Sequence, residues 1–193
     1  MTHQRLAHSL ASLVTVAAFA LPLRAQVSIT PLVGGYIPAG NLTDVTNSAQ
    51  NVAKTRNGTL SLGVDVDLGP LRGSVAYASG TTIKNANRQE IGKGNVAAAA
   101  ADLVIRPIPR ILVQPYLLAG AGEKWLKLDQ SATLANGANT RSFAWHGGVG
   151  ADLMLGSMGI AAELTDFLGK NADDKWNAHD AFFMVGLKFR MGH

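Results

Sequence analysis

Residues 59–83 of the chain read TLSLGVDVDLGPLRGSVAYASGTTI, and this stretch decides the fold. From Leu60 to Leu68 every second residue is Leu or Val, and the residues between them are Ser, Gly or Asp. Such alternation predicts a β-strand with one apolar face and one polar face. Gly69-Pro70-Leu71 follows as a tight turn, and weaker alternation continues over residues 72–83. The stretch therefore predicts an antiparallel hairpin.

The same alternation occurs in eight segments of the chain. They are residues 27–37, 59–68, 72–83, 94–106, 111–128, 140–155, 158–168 and 180–190. The connections alternate between short ones (69–71, 107–110 and 156–157) and long polar ones (38–58, 84–93, 129–139 and 169–178). Tight turns at one rim and long loops at the other are typical of outer-membrane barrels. The sequence predicts an all-β fold, an eight-stranded antiparallel up-and-down transmembrane barrel.

Alternation alone does not say which face is outside, because a soluble lipocalin-like barrel has the same pattern turned inside out. The polar face consists mostly of Gly, Ala and Ser with isolated charges, which fits the crowded interior of an eight-stranded barrel. We therefore expect the Leu, Val and Phe face to contact lipid. Aromatic residues near the two rims are expected to form interfacial girdles. These are Tyr36, Tyr116, Trp125, Phe143, Trp145, Phe167, Trp176, Phe182, Phe183 and Phe189, although Phe182 falls on the lumen face.

Residues 1–25 are predicted to be a secretory signal peptide that is cleaved off. Arg5 precedes an uncharged apolar run over residues 10–21, and the small residue Ala25 offers a cleavage position. Cleavage after Ala20 is the alternative. The run is shorter than the roughly 20 residues of a membrane-spanning helix. Residues 26–193 are then the outer-membrane β-barrel domain, and the expected location is the outer membrane of a Gram-negative-type bacterium.

Composition restricts the possible functions. The chain contains no Cys, which excludes disulfides, thiolate metal sites and thiol nucleophiles. Its formal net charge is +4, but Arg5 and Arg24 lie in the predicted leader, so the remainder carries 15 basic and 13 acidic residues. Because no basic run or stripe occurs, nothing favours a nucleic-acid partner. Neither a cofactor nor a metal ion is expected.

A set of charged residues lies on the face assigned to the lumen. Its members are Asp65, Asp67, Asp102, Arg106, Asp152, Glu163, Lys188 and Arg190. Enclosed charges require partners. Complementary signs are available between Asp65/Asp67 and Arg72, and between the strand that carries Asp102 and Arg106 and the strand that carries Lys188 and Arg190. Our hypothesis is a structural charge network that plugs the lumen. Separate ion pairs near the wetted rim are the alternative.

Two groups of residues contain the side-chain types of a reactive site. Ser142, His146 and Glu163 have the residue types of a hydrolase triad, which would suit a lipid A-modifying enzyme. However, Ser142 and His146 lie about 13 Å apart along an extended strand, and the face is interior, so we predict no catalytic residues. His179 with Asp173, Asp174 and Asp180 contains metal-ligand types in the fourth loop, but the spacing matches no established calcium loop. We interpret it as a solvated loop.

Four stretches resemble the OmpA/OmpX-type small outer-membrane β-barrel family. They are VSITPLVGGYIPAGNL from Val27, VQPYLLAGAGEKW from Val113, HGGVGADLML from His146 and FFMVGLKFRMGH from Phe182. The resemblance covers about residues 27–190. It implies a monomeric barrel without a cofactor, which contacts outer-membrane lipids and the barrel assembly machinery. It also implies a structural or surface-interaction role, with a possible extracellular ligand at the long loops. A soluble periplasmic ligand-binding barrel is the first alternative and a lipid A-modifying enzyme the second.

Overall fold

The computed structural model describes residues 27–44, 50–108, 112–129, 131–134 and 139–191. The predicted signal peptide and part of the turn at 107–110 lie outside these residues. Within them, no helix is long and apolar enough to span a membrane. The described chain is built from strands and their connections. These strands are β1 Val27–Ala39, β2 Thr55–Arg56, β3 Thr59–Leu68, β4 Leu71–Lys84, β5 Glu90–Ile105, β6 Val113–Leu128, β7 Asn139–Leu155, β8 Met158–Lys170 and β9 Trp176–Met191.

Eight long strands form one closed antiparallel ring. Each pairs with its chain neighbours, and β1 also pairs with β9, from Val27↔Met191 to Ala39↔His179. The prediction of an eight-stranded up-and-down barrel is confirmed. The additional two-residue strand β2 was not predicted. It lies in the first long connection and pairs with the end of β4 at the long-loop rim, at Thr55↔Lys84 and Arg56↔Ile83.

The apolar face of the barrel is its outer surface. Leu60 is 79% exposed and Leu187 is 51% exposed, whereas Asp65 and Asp67, on the opposite face of β3, are almost fully buried. A soluble barrel would bury these aliphatic side chains, because water does not favour a continuous apolar exterior of this kind. The expected orientation is confirmed, and the strands present the apolar exterior of a membrane barrel.

The aromatic residues are divided between the two faces. Phe143, Trp145, Trp176, Phe183 and Phe189 are exposed outside, as expected. The girdle assignment was wrong for Tyr36, Tyr116 and Phe167, which are each 1% exposed and lie in the lumen. The physical reason is strand parity, since these residues share the face of the enclosed charges. In the lumen, the two tyrosine hydroxyl groups donate hydrogen bonds to buried carboxylates.

The polar connections at one rim pack over the barrel mouth. Leu42 N–H donates to Lys54 O (2.6 Å), Ala53 N–H to Thr133 O (2.6 Å) and Ala172 N–H to Leu42 O (2.9 Å). We call residues 42–44, 52–54, 132–134 and 171–175 the cap. Within the cap, the side chains of Leu42, Ala53 and Leu134 are buried. Loops predicted only as long and polar therefore contribute apolar side chains that cover the lumen.

Candidate functional site

A cluster of charges fills the lumen near the tight-turn rim. This lower cluster contains Asp65, Asp67, Arg72, Arg106, Tyr116, Asp152, Glu163 and Lys188. The hairpin turn places two of its members directly opposite each other, because Gly69, with a φ of 65°, lets the chain reverse so that Asp67 pairs with Arg72. Only a residue that tolerates positive φ suits this turn.

Asp67 is shared by three cations. Its Oδ1 accepts a hydrogen bond from Arg72 Nε at 2.6 Å, and its Oδ2 accepts one from Lys188 Nζ at 2.6 Å. Arg106 Nη2 lies 3.2 Å from the same Oδ2. Lys188 Nζ also donates to Asp152 Oδ2 at 2.7 Å, and Arg106 Nη2 lies 3.7 Å from that oxygen. These ion pairs are therefore connected through common residues.

Arg72 extends the cluster across the lumen. Its Nη1 lies 2.9 Å from Asp65 Oδ2 and 2.8 Å from Glu163 Oε2, and its guanidinium lies 4.7 Å from the centre of the Tyr116 ring. Tyr116 OH donates to Glu163 Oε2 at 2.9 Å. The ring fits there because its strand neighbour is Gly150, where a Cβ atom would lie 2.3 Å from Tyr116 Cζ.

Asp102 lies elsewhere in the lumen, and its predicted pairing with Lys188 or Arg190 was wrong. Its Oδ1 lies 2.8 Å from His146 Nδ1, and its Oδ2 accepts a hydrogen bond from Ser74 Oγ at 3.5 Å. Register explains the pair, because Asp102 and His146 are both opposite Gly120 on the strand between them. A Cβ atom on Gly120 would lie 2.4 Å from Asp102 Oδ1, so the contact needs a glycine.

The remaining predicted residue, Arg190, is half-buried on the same face of β9 as Lys188. It lies opposite Ser28, whose hydroxyl group donates to Asp67 Oδ2 at 3.1 Å. Arg190 is thus at the mouth beside the lower cluster. Of the eight predicted lumen charges, the contacts join Asp65, Asp67, Arg106, Asp152, Glu163 and Lys188 into one cluster, with Asp102 separate.

A second cluster, which the sequence analysis missed, lies below the cap. This upper cluster consists of Tyr36, Arg56, Lys124 and Asp180. Asp180 Oδ1 lies 2.7 Å from Arg56 Nη1 and accepts a short hydrogen bond from Tyr36 OH, while Asp180 Oδ2 accepts one from Lys124 Nζ at 2.6 Å. The sequence did contain an indication for Asp180, because it lies an even number of residues from Lys188 and so shares the lumen face of β9. It contained no indication for Arg56, which lies in the connection predicted as a loop.

The other residues considered as reactive groups do not come together. His146 contacts Asp102, while Glu163 contacts Arg72 and Tyr116, so the Ser142, His146 and Glu163 combination does not form a triad. His179 and Asp180 point to opposite faces of β9. His179 Nδ1 lies 2.6 Å from Asp166 Oδ2 on the outer surface, whereas Asp180 is in the lumen. Among the described residues, no group of three metal-ligating side chains occurs.

A solvent-exposed ion pair joins two parts of the cap. Lys175 Nζ contacts Asp44 Oδ2, which joins the first and fourth connections. The hydrogen bond from Lys175 lowers the pKa of the Asp44 carboxyl group, and the same bond raises the pKa of the Lys175 ammonium group. The Lys175 side chain is exposed and the Asp44 side chain is partly exposed, so solvent screens this contact and makes it weak.

Comparisons with known proteins are informative for structure but not for sequence. No family model matches the chain, and no curated protein sequence matches it. The crystal structure of Neisserial surface protein A is similar with a TM-score of 0.53 and 12% identity, over 86% of this chain and 97% of that one. The outer membrane protein OprG from Pseudomonas aeruginosa is similar with a TM-score of 0.56 and 12% identity, over 88% and 97%. The chain therefore has the fold of small outer-membrane β-barrels.

Proposed function

We propose that the chain is an outer-membrane β-barrel of the OmpA/OmpX type with a structural or surface-interaction role. The observation that carries the proposal is the separation of the two faces: aliphatic side chains surround the outside of a closed ring, and paired charges fill the inside. Lipid cannot form hydrogen bonds with unpaired backbone N–H and C=O groups, so a protein made of β-strands can span a membrane only as a closed barrel.

The proposal includes the processing and partners of the chain. Residues 1–25 act as the signal peptide for export, and residues 26–193 form the barrel domain that the assembly machinery inserts among outer-membrane lipids. Because β1 pairs with β9, the ring has no free edge that a second copy would need to cover, which supports a monomer. The cap forms the surface on which an extracellular ligand would bind.

Membrane insertion can be tested by extraction and gel migration. The mature protein should remain in the membrane fraction after carbonate washing and should migrate differently on a cold detergent gel before and after boiling. Release by carbonate without detergent would contradict insertion and favour the soluble ligand-binding barrel.

We also propose that the lower cluster closes the lumen and is not a conduction path. The proposal is supported by the shared contacts that link Asp67, Arg72, Lys188 and Asp152. In the alternative of separate ion pairs, these residues would have no partner in common. The intact protein in planar bilayers should then show no stable nanosiemens openings. The double variant Asp67→Ala/Arg72→Ala removes both charges of one pair and should increase the frequency of openings.

A matched control is available on the outside of the same barrel. Arg141 Nη2 lies 2.5 Å from Glu123 Oε2 on the outer face, so Glu123→Ala/Arg141→Ala also deletes one ion pair without changing the net charge. It should leave the recordings unchanged. Stable nanosiemens openings of the unmodified protein would contradict a plugged lumen.

A further inference from the structure

A small cavity lies between the upper cluster and the cap. Its volume is about 20 Å³, and it is lined by Arg56, Lys124 and Asp180 from the cluster and by Leu42 and Ala172 from the cap. A site for one water-sized particle needs roughly 10–15 Å³ of accessible space. The cavity therefore has room for a single small particle and excludes a tetrahedral oxyanion such as sulfate or phosphate.

The charges around this cavity do not balance. Arg56 and Lys124 are both buried and share one carboxylate, Asp180. Two other charged groups lie outside this contact group: Lys170 Nζ is 2.7 Å from Asp174 Oδ1, and Asp166, which attracts Lys124 at longer range, faces the outside with its Oδ2 2.6 Å from His179 Nδ1. The described residues in contact here thus leave one positive charge in excess. An excess buried charge is costly unless a counter-charge accompanies it.

Unused hydrogen-bond donors point to the same deficit. The Arg56 side chain is only 2% exposed, and its Nε and Nη2 atoms are buried without a hydrogen-bond partner among the described residues. Lys124 Nζ donates to Ala178 O at 2.7 Å and to Asp180 Oδ2 at 2.6 Å, which uses two of its three N–H groups. Unpaired buried donors are rare in folded proteins and mark a missing acceptor.

We propose that this cavity is a binding site for one small monovalent anion of the chloride class. The anion accepts hydrogen bonds from Arg56 and neutralises the surplus charge of the Arg56, Lys124 and Asp180 group. A water molecule could fill the volume, but it would leave the charge unbalanced. A carboxylate-bearing ligand or a phosphate would be too large.

The barrel wall offers a path to the site. The pairing of β7 with β8 runs from the tight turn to Ala144↔Gly169 and stops there. The first residues of β7, from Asn139 to Phe143, therefore have no pairing with β8. An open groove of about 560 Å³ lies at this position, and it shares Thr140, Lys170, Asn171 and Ala172 with the cavity lining. Lys170 and its partner Asp174 both line this groove, so their charges balance along the path.

Chloride-35 NMR on the folded mature protein in detergent tests the site directly. The chloride linewidth should broaden saturably with added protein, and bromide should reverse the broadening whereas sulfate at equal ionic strength should not. Arg56→Met should abolish the saturable component, since Asp180 then remains paired with Lys124 and the excess charge is gone. Arg141→Met, which removes an exposed arginine on the outer face, should retain it.

Several outcomes would overturn the proposal. They are equal broadening in Arg56→Met, loss of broadening in Arg141→Met, displacement by sulfate, or absence of a saturable component in the unmodified protein. If Arg56→Met does not give the heat-modifiable folded form, Lys124→Met serves in its place, because it leaves Arg56 and Asp180 as a neutral pair. The sulfate competition uses only the unmodified protein and remains decisive in either case.

Discussion

The lower and upper clusters occupy the same lumen but differ in charge balance. The lower cluster sets four carboxylates, Asp65, Asp67, Asp152 and Glu163, against Arg72, Arg106 and Lys188, with Arg190 at the mouth. The upper cluster sets Arg56 and Lys124 against Asp180 alone. Its unsatisfied atoms are donors, on Arg56, whereas those of the lower cluster are acceptors, on Asp65 and Asp152. Counted by contacts, the lower cluster thus has one carboxylate more than its cations, with Arg190 nearby at the mouth, and the upper cluster has one cation more than its carboxylates.

The largest expected effect comes from replacing one buried cation by methionine in each cluster. Lys188→Met leaves Asp152 with only the distant Arg106, so it should lower the free energy of unfolding by about 3–5 kcal/mol, as breaking a buried ion pair does. Arg56→Met leaves Asp180 paired with Lys124 and Tyr36 and should cost about 1 kcal/mol, an ordinary value for a point substitution. Urea unfolding in lipid vesicles, followed by tryptophan fluorescence, measures both. Equal costs would show that the two clusters do not differ in balance.

A smaller effect is expected where a glycine separates the paired residues Asp102 and His146. Gly120→Ala places a Cβ atom 2.1 Å from Ala101 O and 2.4 Å from Asp102 Oδ1, so the strand must shift. Overpacking of this kind should cost about 1–3 kcal/mol. The control is Gly73→Ala in β4, where a Cβ atom meets nothing within 4 Å and should cost little or stabilise slightly. Similar unfolding curves for the two variants would contradict the proposed role of Gly120.

The smallest effect concerns the cap, outside both clusters. Because the pKa of Asp44 is lowered in the folded protein, its contribution to stability is complete above the unfolded value of about 3.9 and is lost as the pH falls through the lower folded value. An NMR titration should therefore give an Asp44 midpoint below 3.9, and the amide signal of Ala172 should move with it. Lys175→Met should return the midpoint towards the ordinary value. A midpoint unchanged by that substitution would exclude the ion pair as the cause.

Sequence reasoning reached the lower cluster because its members lie on long, regular strands. Period-two parity places Asp65, Asp67 and Lys188 in the lumen without any knowledge of the register. The alternation shows which face a residue lies on, but it does not show which residues on other strands it contacts. The Asp102–His146 contact depends on the strand register at Gly120 and could therefore not be predicted. Arg56 lay beyond its reach for another reason: β2 has two residues, too few for a periodic pattern, and its position depends on pairing with β4.

The pairing of β1 with β9 has a consequence for how the molecule is made. Val27 and Met191 are direct neighbours in the sheet although almost the whole described chain separates them. One edge of β1 therefore stays without a hydrogen-bonded partner until β9, the last strand of the chain, has been added. Pairing between residues so far apart in the sequence makes folding slow. Loss of either terminal strand would leave an open edge and not a smaller barrel, so assembly of this protein should be all-or-none with respect to chain length.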